Sequence, residues 1–152
     1  MRMDAIVAER LTSSPRIVDI YGYCGTGMIN EAMMNGDVEK VAIPSYAIKK
    51  KEDVETSESL QTYNNLTATQ KLKYALDMVE AVLLLHGFED GVIIHDDIQL
   101  PQLLLSSNGG LKLNDFNRAE IMLWNEKDAE YCRYKNGHGH GDVSSNTYLI
   151  VT

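Results

Sequence analysis

The chain has 152 residues, 44% of them hydrophobic, which is enough for one compact domain with a sizeable core. With 22 acidic against 14 basic side chains the net charge is −8, and that argues against a nucleic-acid or anionic-membrane surface. Two cysteines, Cys24 and Cys132, make no disulfide framework, no stretch approaches the ~20 apolar residues of a membrane span, and Met1–Asp4 carries no apolar signal region, so a cytoplasmic, soluble protein is expected.

In chain order, Met3–Leu11 reads as a helix with Ala5, Ile6, Val7 and Leu11 available for a buried face, and the Thr12-Ser13-Ser14-Pro15 cluster ends it. Arg16–Cys24 is rich in β-branched and aromatic residues and reads as a strand. Met28–Met34 is a short apolar piece closed by Asn35-Gly36, a strong turn signal. Asp37–Ile43 reads as a short helix or turn, and the polar, patternless Pro44–Leu66 as a loop insertion. Lys49-Lys50-Lys51 within that loop is followed by Glu52, Asp53 and Glu55, so it reads as a solvated run rather than a binding patch.

The strongest helical signal is Ala68–His86. Thr67 is its expected N-cap, with Gln70 three residues on as in a capping box. Leu72, Ala75, Leu76, Val79, Val82 and Leu83 predict one buried stripe, and Gly87 reads as a C′ glycine. Strands are expected at Gly91–Ile94, Gln102–Leu105 and Leu111–Leu113, with a hairpin-like turn over Ser106–Gly110. From Asn117 to Thr152 the chain is polar and Gly-rich, with no clear period.

The chemistry-bearing residues concentrate in Gly91–Asn117, where Asp97 and Asp115 each follow a short apolar run. Carboxylates at the ends of buried strands stand at the mouth of a cleft, where their desolvation must be offset by a metal or a proton-transfer task. The letters are His95-Asp96-Asp97-Ile98-Gln99-Leu100-Pro101-Gln102, then Asp115-Phe116-Asn117. This arrangement resembles the catalytic loop and metal-binding turn of eukaryotic protein kinases, H-R-D-L-x-x-x-N followed by D-F-G. The spacing from aspartate to amide is that family's, as is the strand–turn–strand between the motifs. The resemblance runs over most of residues 3–142, and its specific part is 91–117.

What the resemblance implies is an α+β fold, a partial protein-kinase-like domain. Residues 3–43 would be the small-lobe remainder and hinge, 44–66 a loop insertion, 67–117 the catalytic core and 118–152 an activation-segment-like tail. The implied activity is phosphoryl transfer from ATP to a protein hydroxyl. Asp97 would accept the hydroxyl proton, and Asp115 would bind Mg²⁺, as would Gln102, which replaces the family's asparagine with a longer and weaker arm. Hinge similarity in Asn30-Glu31-Ala32-Met33 places adenine against the Glu31 carbonyl and the Met33 amide, with Asn30 guarding a back pocket and Leu104 as the apolar floor. His95 and Phe116 would be architectural. The implied partners are ATP and a protein substrate or binding partner, with neither nucleic acid nor membrane.

The departures keep a second reading open: a catalytically inactive pseudokinase or scaffold. Asp96 stands where the family has an arginine that pairs with a phosphorylated activation loop. Gln99 replaces the lysine that neutralises γ-phosphate charge. Asn117 replaces a glycine and tolerates a left-handed backbone. The family's Gly-rich phosphate loop and Val-Ala-Ile-Lys strand find no counterpart. Gly22–Gly27 has the wrong spacing for a phosphate cradle, and Val41-Ala42-Ile43-Pro44 carries proline in place of lysine. Gly141–Asn146 stands where Ala-Pro-Glu would close the activation segment. A partial domain with little or no turnover of its own is therefore expected. The acidic partner of the absent lysine is left between Asp4 and Glu9.

Other constellations are weaker. His138 and His140, with Cys132 upstream, lack the paired spacing of a structural zinc site. Ser144 and Ser145 near Asp142 and His140 lack the strand–Ser–helix turn of a hydrolase. Tyr131, Tyr134 and Thr147 are candidate phosphorylation sites in a polar tail.

Overall fold

A computed structural model describes residues 3–43 and 64–132. Helix α1 spans Met3–Leu11, with Ala5, Val7, Ala8 and Leu11 buried. Asp4 lies in its first turn and Arg10 in its last, charges placed to suit the helix dipole. The chain then turns through Ser13, whose φ is 69° and whose amide donates to Asp19 Oδ1 at 2.6 Å.

The strand expected over Arg16–Cys24 divides into two parts. Only β1, Ile20–Cys24, pairs in a hairpin, with β2, Gly27–Asn30. Residues 16–18 instead lie parallel to a later strand: the Val18 amide donates to Leu113 O at 3.0 Å and the Leu113 amide to Arg16 O at 2.7 Å. Gly25 at φ 59° lies in the β1–β2 turn, so the glycines at 22–27 serve a hairpin.

Asn35-Gly36 turns the chain as expected, and α2, Val38–Ala42, is capped by Asp37, whose side chain accepts from the Lys40 amide. Val41 and Ala42 end that helix and pack on the core. Of the expected loop insertion, 44–63 falls outside the described residues. Its far end returns beside its start, since Asn64 Nδ2 donates to Ala42 O at 2.9 Å.

Helix α3 spans Ala68–His86 with the expected capping box: Thr67 accepts from the Gln70 amide while the Gln70 side chain accepts from the Thr67 amide. Its Gly87 cap donates to Leu83 O, but at φ −88° it does not use the left-handed geometry of a C′ glycine. The buried face also differs from the expected one. Leu72 is 72% exposed, Leu76, Val79 and Leu83 are exposed as well, and the helix instead buries Asp77, Ala81 and Leu85. Asp77 is the reason spacing misleads. A carboxylate sits mid-stripe on the core side, held by Arg16 Nη2 at 2.7 Å, Lys73 Nζ at 3.1 Å and the Leu111 amide at 2.9 Å. Full pairing removes the penalty that would otherwise keep it out of the interior.

Strand β3, Val92–Ile94, leads into the 95–99 loop and a 3₁₀ turn over Leu100–Gln102. Strands β4, Leu103–Leu105, and β5, Leu111–Leu113, then pair in the register Leu103↔Leu113, Leu105↔Leu111. Their turn closes with the Ser106 amide on Gly110 O at 2.9 Å and Gly109 at φ 74°, a conformation that costs glycine least. Leu103, Leu105, Leu111 and Leu113 face the core with Val7, Ile17, Leu85 and Ile93.

The segment read as patternless after Asn117 forms three strands, β6, Glu120–Met122, β7, Trp124–Asn125, and β8, Glu130–Tyr131. Strand β6 pairs antiparallel with β3, and the approach is close: a Cβ on Gly91 would lie 2.6 Å from Met122 O. The architecture over the described residues is thus α+β, three helices with four two-stranded antiparallel sheets. No helix of the described residues is long and apolar enough to cross a membrane.

Candidate functional site

Strands β3 and β5 carry core side chains, Ile93 and Leu113, and each delivers a polar loop at its C-terminal end. The first loop is His95-Asp96-Asp97 and the second Asn114-Asp115-Phe116. Because both strands are anchored in the same core, the two loops lie against each other. His95, only 2% exposed, has its Nε2 2.9 Å from Asn114 O and its ring 5.0 Å from that of Phe116, tilted 60°. A carbonyl can only accept, so Nε2 carries the proton and Nδ1, also buried, is bare. Burial holds the His95 imidazole below its ordinary value; the Asn114 carbonyl and the charges of Asp115, Asp97 and Asp96 pull the other way without prevailing. The ring is therefore a neutral strut joining the loops.

Two aspartates of the site have left-handed backbones, Asp96 at φ 59° and Asp115 at φ 64°. Such conformations are uncommon outside glycine and persist where the surroundings enforce them. Asn117, which tolerates a left-handed backbone in place of the family's glycine, is not among the residues with positive φ, whereas Asp115 is.

Asp115 and Gln102 are brought together. Gln102 Nε2 donates to Asp115 Oδ2 at 3.2 Å, and the Gln102 carbonyl receives the Asn114 amide at 2.9 Å. Asp115 also lines a cavity of about 220 Å³ with Asp4, Asn30, Asn114, Phe116, Ala8, Val18 and Met28. That volume is small beside the roughly 300–1,000 Å³ of small-molecule sites, so the cavity is a recess. Asp4 is 3% exposed here, whereas Glu9 is an exposed residue that accepts from the Tyr23 hydroxyl. Of the two acids on α1, Asp4 is the one at the site.

Asp97 does not line this cavity. Its Oδ1 accepts from Gln99 Nε2 at 3.1 Å and lies 4.0 Å from Arg118 Nη1, while Arg118 Nη2 pairs with Asp96 Oδ2 at 2.9 Å. The three hinge-side candidates also lie off the cavity. Glu31 pairs with Lys112 Nζ at 2.6 Å and donates its amide to Asp19 O at 2.8 Å. Burial disfavours the Lys112 charge, but the bonds from Glu31 and Asp19 outweigh it and raise that amine above its ordinary value. Met33 O receives the Gly36 amide, and Leu104, opposite Lys112 in the hairpin register, is half-buried on the face away from Leu103 and Leu105.

Sequence reasoning missed Arg118. The signal was present as the one Lys or Arg between positions 113 and 126, three positions beyond Asp115. Among the described residues no three His, Cys, Asp or Glu side chains gather as a metal cluster. Tyr131 stacks edge-on against Trp124 at 5.0 Å. Tyr134, His138, His140, Asp142, Ser144, Ser145 and Thr147 lie outside the described residues, while Cys24 and Cys132 are exposed free thiols. No protein-family model matches the chain, and no curated protein matches it.

Proposed function

We propose that the chain is a partial protein-kinase-like domain whose Asp97 and Asp115 loops serve phosphoryl transfer from ATP to a protein hydroxyl. The observation that carries this reading is the junction of the two loops. Two left-handed aspartates, Asp96 and Asp115, are locked together through the neutral His95 bridge to Asn114. Ser13 and Ala129 also have positive φ among the described residues, so what supports the reading is that these two acidic loops are brought together by a buried bridge.

Asp115 and Gln102 would hold Mg²⁺ through their oxygens, the glutamine amide, whose Nε2 faces Asp115, turning to present its carbonyl. Two protein ligands suffice, because Mg²⁺ keeps waters and takes the remaining oxygens from substrate phosphates. Bound there, the ion supplies charge neutralisation for the phosphates. The rest falls to the chain's own residues. Asp97, partly exposed and outside the recess, is accessible to an acceptor hydroxyl. The hydroxyl oxygen bonds to the γ-phosphorus, the bond to the β,γ-bridging oxygen breaks with its electrons leaving on ADP, and the hydroxyl proton passes to the Asp97 carboxylate. The Glu31 carbonyl and Met33 amide would meet the adenine edge and Leu104 its face, with Asn30 and Asp4 at the recess behind. Two free exposed thiols suit a reducing, cytoplasmic setting.

The second reading, a non-catalytic binding module, is favoured by one feature. Asp97 is engaged by Gln99 and Arg118 rather than turned toward the recess that Asp115 lines. Thermal shift with Mg·ATP, followed by a transfer assay on a mixed Ser/Thr/Tyr peptide library, separates them. The kinase reading expects Mg²⁺-dependent stabilisation of about 2.7 kcal/mol at a hundredfold excess over Kd, abolished in Asp115→Asn. Stabilisation without transfer supports the binding module, and no stabilisation by Mg·ATP ends the kinase reading.

A further inference from the structure

We infer that Arg118 is a positioning residue for the metal-binding turn, joined to Asp96 as an internal clamp between the two loops. The inference rests on the phosphotransfer reading of the site and adds to it the residue that positions the turn. Among the described residues, Arg118 is the cation within ion-pair distance of both Asp96 and Asp97. It projects from the segment that follows Asp115, whereas its partners belong to the loop after β3. The pair therefore spans the same gap as the His95–Asn114 bridge, from the opposite side of Asp115 in sequence.

The consequence follows from the backbone. Asp96 and Asp115 both have left-handed conformations, which aspartate adopts more readily than most residues but which fix the direction of each loop. His95 restrains Asn114 on one side of Asp115, and Arg118 restrains the chain three positions on the other. With both ends tied, Asp115 is held in its left-handed geometry against Gln102. Release of the Arg118 end lets the turn relax and carries the Asp115 carboxylate away from Gln102. A cation supplied after the metal-binding turn and an anion before Asp97 make this link permanently.

The guanidinium contacts are made by its two Nη tips, to one oxygen of each aspartate, and Nε is buried without a hydrogen-bond partner among the described residues. This is not a two-pronged carboxylate fork, so a lysine should keep much of the effect. Asparagine tolerates a left-handed backbone as aspartate does, so Asp96→Asn removes charge without adding strain.

The test measures the Mg²⁺ dependence of binding of a fluorescent ATP analogue to the full chain, with the Tm of each protein read in parallel. The proteins are wild type, Asp96→Asn, Arg118→Gln, Arg118→Lys and the Asp96→Asn/Arg118→Gln double variant. The single neutralising variants should raise the Mg²⁺ midpoint about twofold to fivefold, as expected for one partly exposed ion pair. The double variant should be no worse than the poorer single, and Arg118→Lys should recover most of the loss. Midpoints equal to wild type in all variants, whether or not Tm falls, overturn the clamp and leave the phosphotransfer reading standing. Additive losses in the double variant overturn it as well. A wild-type chain that binds no nucleotide in the presence of Mg²⁺ removes both, and that failure is read on a different protein from the other two.

Discussion

The β4–β5 hairpin and the paired loops of Asp96 and Asp115 adjoin one another, yet they are built on opposite principles. The hairpin has relaxed strands, a turn closed by glycines and four leucines in the core; Leu111 and Leu113 are almost wholly buried. The loops have left-handed aspartates, a buried neutral imidazole and charges tied across a gap. One region supplies stability, and the other holds a geometry that the isolated chain would not choose. The geometry of the loops is sustained because both spring from strands packed in the core.

The sharpest attack on that contrast is Leu113→Ala. It removes a core side chain from the strand that delivers Asp115, and should cost about 2–5 kcal/mol in denaturant unfolding. A loss below about 1 kcal/mol would mean that the hairpin is not the anchor, since collapse of the site around a deleted leucine rarely recovers so much.

A smaller effect should come from pH. Burial holds both His86 and His95 below the ordinary histidine value. The unfolded chain then binds protons more readily than the folded one, so this stability is intact above pH ~6.5 and is lost as pH falls through the folded values. For His95 the protonated Nδ1 would be a buried donor with no acceptor. His95→Gln should flatten the decline between pH 7 and 5 relative to wild type, each histidine contributing at most about 1.4 kcal/mol per pH unit. An unchanged slope in that variant would show that the imidazole is not the strut described.

The smallest effect belongs to the outer face of α3. Leu76→Lys and Val79→Glu alter side chains that are more than half exposed, and should leave unfolding stability within about 0.5 kcal/mol while raising solubility. A loss of several kcal/mol would return this stripe to the core and with it the face predicted from spacing.

That stripe shows where sequence reasoning stops. Leu72, Leu76, Val79 and Leu83 have helical spacing, but so do Tyr74, Asp77, Ala81 and Leu85. Apolar counting prefers the first set, and the second is chosen because Arg16, Lys73 and the Leu111 amide converge on Asp77. The same limit hid β6, whose partner β3 lies on the far side of the hairpin in sequence. It also hid Asp4 as the acid at the recess, and Arg118. By contrast the Thr67–Gln70 capping box, the Asn35-Gly36 turn and the Ser106–Gly110 hairpin were legible, because each is closed by groups within five residues of one another.

For this protein the letters alone determined the local elements and the candidate acids, Asp97 and Asp115, since capping, turn chemistry and strand length depend on near neighbours. Only the tertiary structure decided which face of α3 is buried, which acid of α1 lines the recess with Asp115, and which cation ties the two loops. Those choices depend on charges distant in sequence meeting where water is excluded, and there an unpaired carboxylate costs more than any propensity can offset.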